Sequence, residues 1–445
     1  MTRLFGTDGI RGRANTHPMT CEIALKTGRA VALMARDSGQ HQVVIGKDTR
    51  ISGDMLASAL AAGVASAGVE ACLAGVIPTP GVAYLAGSMA HVGAGVMISA
   101  SHNPFYDNGI KIFQKGGIKL TDEQESALEA MIGDPELFSG NDVGNISVIS
   151  DSLERYARFL LDRFPFKTLS PRIRVVVDAA NGAASDICHQ VFNDALFGAV
   201  FIHDEPDGFN INKNCGSQHV QDLQKQVATL KADIGIAFDG DADRMIAVDE
   251  TGGIITGDRI LAICAGHAKK KNQLPNNRVV STVMSNIGLT RALDALGITH
   301  IRTGVGDRRV LAQMQKSGAV MGGEDSGHMI FLDDHTTGDG LLSALRLISV
   351  MAETGRPLSD LASVMQVFPQ VLKNVEVDAS RPDFMQIPAI AEAIEAVSSR
   401  LGENGRVLVR YSGTQPLLRV MVEGPEKAVT LAGCDQICQA IQAHI

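Results

Sequence analysis

No apolar stretch of this chain approaches the roughly 20 residues a helix needs to cross a bilayer. The first residues, Met1 to Gly6, turn straight into a glycine-rich motif without the apolar core or cleavage site of a secretion signal. No membrane role is expected, and a cytoplasmic location is. Positive charge is also short: 40 Lys and Arg stand against 49 Asp and Glu, a net charge of −9. That balance argues against nucleic acid, whose binding is driven by cations that neutralise phosphates. The seven cysteines are odd in number and lack metal-type clustering, as reduced thiols do. Cys434 and Cys438 can share one helical face, but no partnering His or Cys pair makes a zinc site of them, so they read as buried thiols. What remains is an ordinary globular composition, 45% hydrophobic and 20% charged, over 445 residues. That length is too great for one core and predicts three or four domains.

Apolar runs repeatedly end in polar, glycine-rich loops followed by helical periodicity. Val43 to Gly46 leads to Lys47-Asp48-Thr49-Arg50 and an Ala-rich helix from about Asp54 to Ala67. Arg174 to Val177 leads to Asp178 and Asn181-Gly182, and Val279 to Val283 leads to Met284-Ser285-Asn286. Such units predict three similar mixed α/β domains, 1–150, 151–255 and 256–368, with Ser139 to Ile146 as the first linker. A smaller α+β unit, 369–445, holds strands Arg406 to Tyr411 and Leu418 to Val422 around a Ser-Gly-Thr turn, then a helix from about Pro425.

Ser99-Ala-Ser101-His-Asn-Pro104 follows the strand-like run Val92 to Ile98. Asn103-Pro104 breaks regular structure there, which places Ser101 on a surface loop at a strand's C-terminal edge, where open α/β sheets carry their sites. Ser101 is the candidate nucleophile; a polar turn without chemistry is the alternative. The acidic loop Asp239-Gly240-Asp241-Ala242-Asp243-Arg244 follows the strand Ile234 to Phe238. Its three alternating carboxylates can converge on one hard cation. The calcium-loop reading fails because Arg244 stands where the sharp turn requires Gly and a strand precedes where a helix should. Magnesium with open positions for a phosphoryl oxygen fits the count; a solvated acidic turn is the alternative.

Gly6-Thr7-Asp8-Gly9-Ile10-Arg11-Gly12 reads as a loop placing a guanidinium among small residues. Gly323-Glu324-Asp325-Ser326-Gly327-His328 gathers a carboxylate, a hydroxyl and an imidazole suited to sugar hydroxyls, unless it only caps a helix. Arg410-Tyr411-Ser412-Gly413-Thr414-Gln415-Pro416 with Arg419 reads as a phosphate cradle, or else as a plain hairpin turn with an arginine on each side. It is no P-loop, since the Gly-x4-Gly-Lys-Ser/Thr spacing is absent. An acidic protein that binds a phosphate ester must gather cations locally, and the motifs offer Arg11, Arg50, Lys111, Arg244, Arg308, Arg410 and Arg419.

Taken in order, Ser-His-Asn-Pro, Asp-Gly-Asp-x-Asp-Arg, Gly-Glu-x-Ser-Gly-His and Ser-Gly-Thr-x-Pro closely resemble the α-D-phosphohexomutase superfamily over essentially the whole chain. Asn210-Ile-Asn212 with Asn214-Cys-Gly-Ser217, Thr282-Val-Met-Ser-Asn286 and Thr336-Thr-Gly-Asp-Gly340 resemble its bacterial glucosamine-phosphate branch. The resemblance implies four domains around a central cleft and reversible conversion of glucosamine 6-phosphate to glucosamine 1-phosphate through a bound 1,6-bisphosphate. It implies that Ser101 is carried as phosphoserine, and that Asp239, Asp241, Asp243 and a Ser101 phosphate oxygen hold one Mg2+ per chain. It assigns proton transfer and phosphoryl stabilisation to Lys111 and Arg11, with Arg244 adding charge neutralisation. Glu324, Ser326 and His328 would face the sugar, and Arg410, Ser412, Gly413, Thr414 and Arg419 the phosphate that is not reacting. Partners would be small sugar phosphates, and the chain a monomer or homodimer. Two positions depart from the family pattern: Gln415 replaces a usual Glu, and Asp325 replaces a residue often Gln. Rival readings are a phosphomannomutase or phosphoglucomutase, a metal-dependent sugar-phosphate phosphatase using the same serine, and a binder without catalysis.

Overall fold

Apolar, β-branched runs cut off by glycine and proline give short buried strands, and the alanine-rich stretches between them give the covering helices. The structure, a computed structural model, describes residues 4–6, 8–134, 136–138, 141–378, 381–412 and 416–445. By its contacts the chain divides into two units, Met1–Met284 with Ile298–Val364, and Ser285–Gly297 with Met365–Ile445.

The first unit holds three mixed sheets. The first runs, in spatial order, Ile10–Arg13, Asp107–Gln114, Val92–Ile98, Gln42–Lys47, Glu70–Val76, Ile146–Val148, with the short strand Ile118–Lys119 beside Asp107–Gln114. Val92–Ile98, Gln42–Lys47, Glu70–Val76 and Ile146–Val148 are parallel, and Asp107–Gln114 returns antiparallel to Val92–Ile98. The second sheet repeats the plan: Ile173–Asp178 is parallel to Phe197–Ile202 and Ile234–Phe238, and Met245–Asp249 returns antiparallel to Ile234–Phe238. In the third, Arg278–Thr282 is parallel to Thr299–Thr303 and Met321–Gly323, and Met329–Phe331 returns antiparallel.

Each sheet therefore places its motif at the same topological point, the turn between the last parallel strand and the antiparallel return. Ser101 lies in the first such turn, Asp239 to Arg244 in the second and Glu324 to His328 in the third. The third motif does not itself open a helix, because a strand follows it. Two further sequence expectations are corrected. The glycine-rich segment is not loop throughout: Ile10–Arg13 forms an edge strand in register with Ile110 to Asp107, since the open edge of Asp107–Gln114 outweighs weak local propensity. The linker at 139–146 ends inside the first sheet, where Ile146 pairs with Ala71.

The second unit is an antiparallel sheet, Gln370–Glu376, Leu417–Glu423, Arg406–Tyr411. Helices Pro388–Leu401 and Lys427–His444 cover it over a core of Val375, Ile390, Val397, Val420, Val422 and Ile437. Gln370–Glu376 and the helix Pro388–Leu401 had no reading from sequence, because their exposed faces break the apolar runs. Cys434 and Cys438 are buried on one face of the last helix, as expected. Among the described residues, no helix is long and apolar enough to cross a membrane.

Candidate active site

The strand Val92–Ile98 is fully buried and delivers Ser101 to the turn above it. Ser101 is not on the surface, as its loop position led us to expect, but wholly inaccessible to solvent, because the acidic loop of the second sheet lies directly over it. Its hydroxyl donates to Asp239 Oδ2 at 2.5 Å, and its amide donates to Ser99 Oγ at 2.9 Å, which gives the second serine of the motif its role. Gly240 makes this approach possible: a Cβ there would stand 2.6 Å from the Ser101 carbonyl oxygen. Ser101 (φ 54°) and Ala242 (φ 54°), on facing loops, both adopt the left-handed conformation that non-glycine residues avoid. Such strain persists only where surrounding contacts over-determine it.

Asp239, Asp241 and Asp243 are buried, with one carboxylate oxygen from each within 4.8 Å of the others. Thr79 Oγ1 donates to Asp241 Oδ2 at 2.5 Å, and Lys111 Nζ lies 2.7 Å from Asp241 Oδ2 and 3.0 Å from Asp243 Oδ2. Among the described residues, Asp241 Oδ1 and Asp243 Oδ1 are buried without a hydrogen-bond partner. Unsatisfied carboxylate oxygens are costly, and three hard oxygen donors converging from one loop suit a hard divalent cation. Burial, reinforced by the carboxylates of Asp243 and Asp241, pushes Asp239 well above the usual carboxylate range.

Lys111 sits on the return strand Asp107–Gln114 and is 1% exposed. Burial opposes its charge, but Asp241, Asp243 and Asp8 outweigh it and hold the ammonium well above its ordinary pKa. It is thus a fixed cation. Arg11 Nη2 bonds Asp8 Oδ2 at 2.8 Å, and Asp8 Oδ2 also lies 3.3 Å from Lys111. Lys119 joins Asp8 to Asp307 at the start of helix Asp307–Ser317. His328 lies 3.7 Å from both Asp243 Oδ1 and Asp307 Oδ2; burial works against its charge, but these two carboxylates raise its pKa. Arg244 Nη1 approaches His102 Nδ1 at 3.2 Å, and His102 Nδ1 is 3.3 Å from Ser101 Oγ. Burial, then Arg244 and Arg11, lower His102 to about 4, so its ring is neutral beside the serine.

Ser101, Lys111, Arg11, Arg244, the three aspartates and His328 are therefore gathered in one network. Glu324 is half-buried and accepts the Gly306 amide at 3.2 Å; Ser326 is half-buried on the same turn. Asp325 instead accepts the Asp258 amide at the start of helix Gly257–Lys270, at 3.3 Å, a stabilising place for a carboxylate at a helix N-terminus. In the second unit, Arg410 and Arg419 are direct register partners on adjacent antiparallel strands, which puts two guanidinium-bearing positions side by side next to the Ser-Gly-Thr turn. Ser412 is buried beside them, and among the described residues its Oγ has no hydrogen-bond partner. Gly413, Thr414 and Gln415 lie outside the described residues.

Sequence reasoning counted Arg50 among cations available to an anion. The structure spends it elsewhere: fully buried, it pairs with Asp48 and donates to the carbonyl oxygens of Ser101, Asn103, Pro104 and Asp107. Asp8, Thr79, Lys119, Asp307 and Asn212 had no assigned role, since nothing local in sequence links them to the aspartates. The Thr336–Gly340 segment acquires a physical reason: the Gly340 amide bonds the Ala242 carbonyl at 3.0 Å, and a Cβ at Gly340 would meet Arg244 O at 2.7 Å.

The chain matches the family described as phosphoglucomutase/phosphomannomutase, by its α/β/α domain I over residues 2–137, domain II over 154–253, domain III over 256–368 and C-terminal domain over 372–440. It is 57% identical to the phosphoglucosamine mutase of Desulforapulum autotrophicum, over 99% of each chain. A phosphoglucomutase/phosphomannomutase family protein from Burkholderia thailandensis has a similar structure, with TM-score 0.83, 25% identity and coverage of 99% of this chain and 97% of that one. The N-acetylphosphoglucosamine mutase of Aspergillus fumigatus, solved with GlcNAc-6P and magnesium, shares the fold at TM-score 0.70 and 16% identity, over 99% of this chain and 95% of that one. With the whole chain matched and its own site built where the motifs lie, the chain belongs to the phosphohexomutase superfamily, in its phosphoglucosamine mutase group, and is an isomerase.

Proposed function

We propose that the chain interconverts glucosamine 6-phosphate and glucosamine 1-phosphate through a phosphorylated Ser101 and a sugar 1,6-bisphosphate. The observation that carries this reading is Ser101 Oγ, buried and 2.5 Å from the first of three clustered aspartates. In the forward half, a sugar hydroxyl oxygen bonds the phosphorus while the bond from phosphorus to Ser101 Oγ breaks, and the hydroxyl proton ends on Ser101. The bisphosphate then turns, and the other phosphoryl group returns to Ser101 as the sugar regains a hydroxyl.

Asp239, Asp241 and Asp243, with an oxygen of the phosphorylated Ser101, would hold one Mg2+. When bound, it supplies charge neutralisation to the transferring phosphoryl group. Lys111, fixed as a cation by its carboxylates, and Arg244 add positive charge at the same place; Arg11 is oriented through Asp8. A loose phosphoryl transition state is stabilised mainly by such positioning and charge. Glu324, Ser326 and His328 would read sugar hydroxyls. Arg410, Ser412 and Arg419, with Gly413 and Thr414, would hold the distal phosphate, and the division 1–150, 151–255, 256–368 and 369–445 assigns one motif to each domain. A distal anion site suits a mutase, which must grip one phosphate while the other reacts; a phosphatase needs one phosphate position.

The deciding assay follows isomer formation and inorganic phosphate together, on glucosamine, glucose and mannose 6-phosphates. Isomer in large excess over phosphate, fastest with the glucosamine substrate, is expected; phosphate release matching substrate loss would make the enzyme a phosphatase.

Arg419→Ala should weaken use of all three sugars about equally, because a charge-assisted contact to a shared phosphate carries no sugar information. Glu324→Ala should cost unequal amounts among them, since directional contacts discriminate hydroxyl and amino groups. A change of sugar preference in Arg419→Ala, with a uniform loss in Glu324→Ala, would reverse the roles of the two loops.

A further inference from the structure

Asn212 lies on the loop after Phe197–Ile202, in the part of the chain that builds the second sheet, yet its side chain reaches the nucleophile turn of the first. Its Nδ2 donates to the Ser101 carbonyl at 2.9 Å and to the Asn103 carbonyl at 3.1 Å. The Asn212 backbone is itself anchored, its N–H donating to the Ala180 carbonyl at 2.9 Å, and the residue holds φ 58°, which Asn tolerates better than most. Gly240 of the acidic loop stands against both groups: a Cβ there would lie 2.6 Å from Ser101 O and 2.8 Å from Asn212 Nδ2.

A carbonyl oxygen accepts two hydrogen bonds. Arg50 supplies one to Ser101 O, at 2.9 Å, from within the first sheet's own loops. Asn212 supplies the other from the part of the chain that also carries Asp239. The strained Ser101 backbone is thereby tied to the same body as the carboxylate its hydroxyl must face.

We propose that Asn212 is a positioning residue for phosphoryl transfer: its amide locks Ser101 in the left-handed conformation and so aims the serine oxygen at Asp239. This rests on the reading of Ser101 as the phosphoryl carrier. Loss of the amide frees one side of the carbonyl and lets the turn relax, and displacements of about 1 Å at a reacting atom cost up to about 100-fold in rate. The sugar and distal-phosphate contacts lie on other loops, so substrate binding is spared.

The test replaces Asn212 by Gly, which accepts the left-handed backbone and removes the side chain with its amide, and by Asp, which keeps the shape but turns an acceptor toward two carbonyls. Asn214→Gly is the control, an exposed residue at φ 57°. Expected are a fall in kcat of about 10- to 100-fold for both Asn212 variants with KM changed less than about twofold. Single-turnover phosphorylation of Ser101 by the bisphosphate, followed by intact mass, should slow in parallel. Asn214→Gly should behave as wild type. If Asn212→Gly unfolds, Asn212→Asp carries the same comparison. Wild-type kcat in the Asn212 variants, or a rise in KM at unchanged kcat, overturns the inference. Ser101→Ala measured alongside separates the two readings: an inactive Ser101→Ala beside a fully active Asn212→Gly overturns the role of Asn212 alone, whereas an active Ser101→Ala overturns both.

Discussion

Ser101→Ala is expected to lose more than about 1,000-fold in turnover, because removing a nucleophile eliminates the covalent route and leaves only binding and charge. The fold should survive. The substitution deletes the hydrogen bond to Asp239 Oδ2 and leaves a small void in a buried turn, a cost of about 1–3 kcal/mol. Both Ser and Ala pay for the left-handed backbone at φ 54°, so that strain does not change. Thermal unfolding should therefore shift only slightly. Incubated with the 1,6-bisphosphate, wild-type protein should gain the mass of one phosphoryl group and the variant none. A variant that still gains it, or that retains more than a few per cent of activity, would remove Ser101 from the mechanism.

Asp241→Asn should raise the Mg2+ concentration for half-maximal activity by about 10- to 100-fold, that is by about 1.4–2.8 kcal/mol of metal binding. The amide still offers one oxygen to a cation but no charge. It also cannot reproduce both sides of the carboxylate: Oδ2 accepts from Thr79 and faces Lys111, while Oδ1 is the unpartnered oxygen. Whichever way the amide turns, its NH2 group meets either donors or the cation position. Activity should return in part at high Mg2+, because Asp239 and Asp243 remain. An unchanged Mg2+ dependence would mean that the three aspartates serve only to balance Lys111.

How far these residues were legible depends on how locally each is encoded. Ser101, the aspartates 239, 241 and 243, and the Glu324 turn stand out because a run of polar and small residues directly after an apolar strand is a local pattern. Side-chain period and turn chemistry are local properties, so the strands Val92–Ile98 and Ile234–Phe238 emerged with their boundaries. The mixed α/β class followed from the same repetition. The strand Gln370–Glu376 did not emerge, because alternating exposure dilutes its apolar signal, and Ile10–Arg13 became a strand only because an open edge was there to pair with it.

Sequence alone determined which residue types sit at which turns, and with them the chemistry the chain can perform: a hydroxyl, a hard-oxygen set and an arginine-flanked hairpin. Only the tertiary structure decided what those groups do to one another. It buried Ser101 under a loop 138 residues away, spent Arg50 on backbone carbonyls, fixed Lys111 as a cation between Asp241 and Asp243, turned Asp325 to a helix end and brought Asn212 to the serine's carbonyl. The physical reason is that burial, desolvation and pairing are properties of the space around a side chain, and that space is assembled from segments which carry no trace of one another in the linear order.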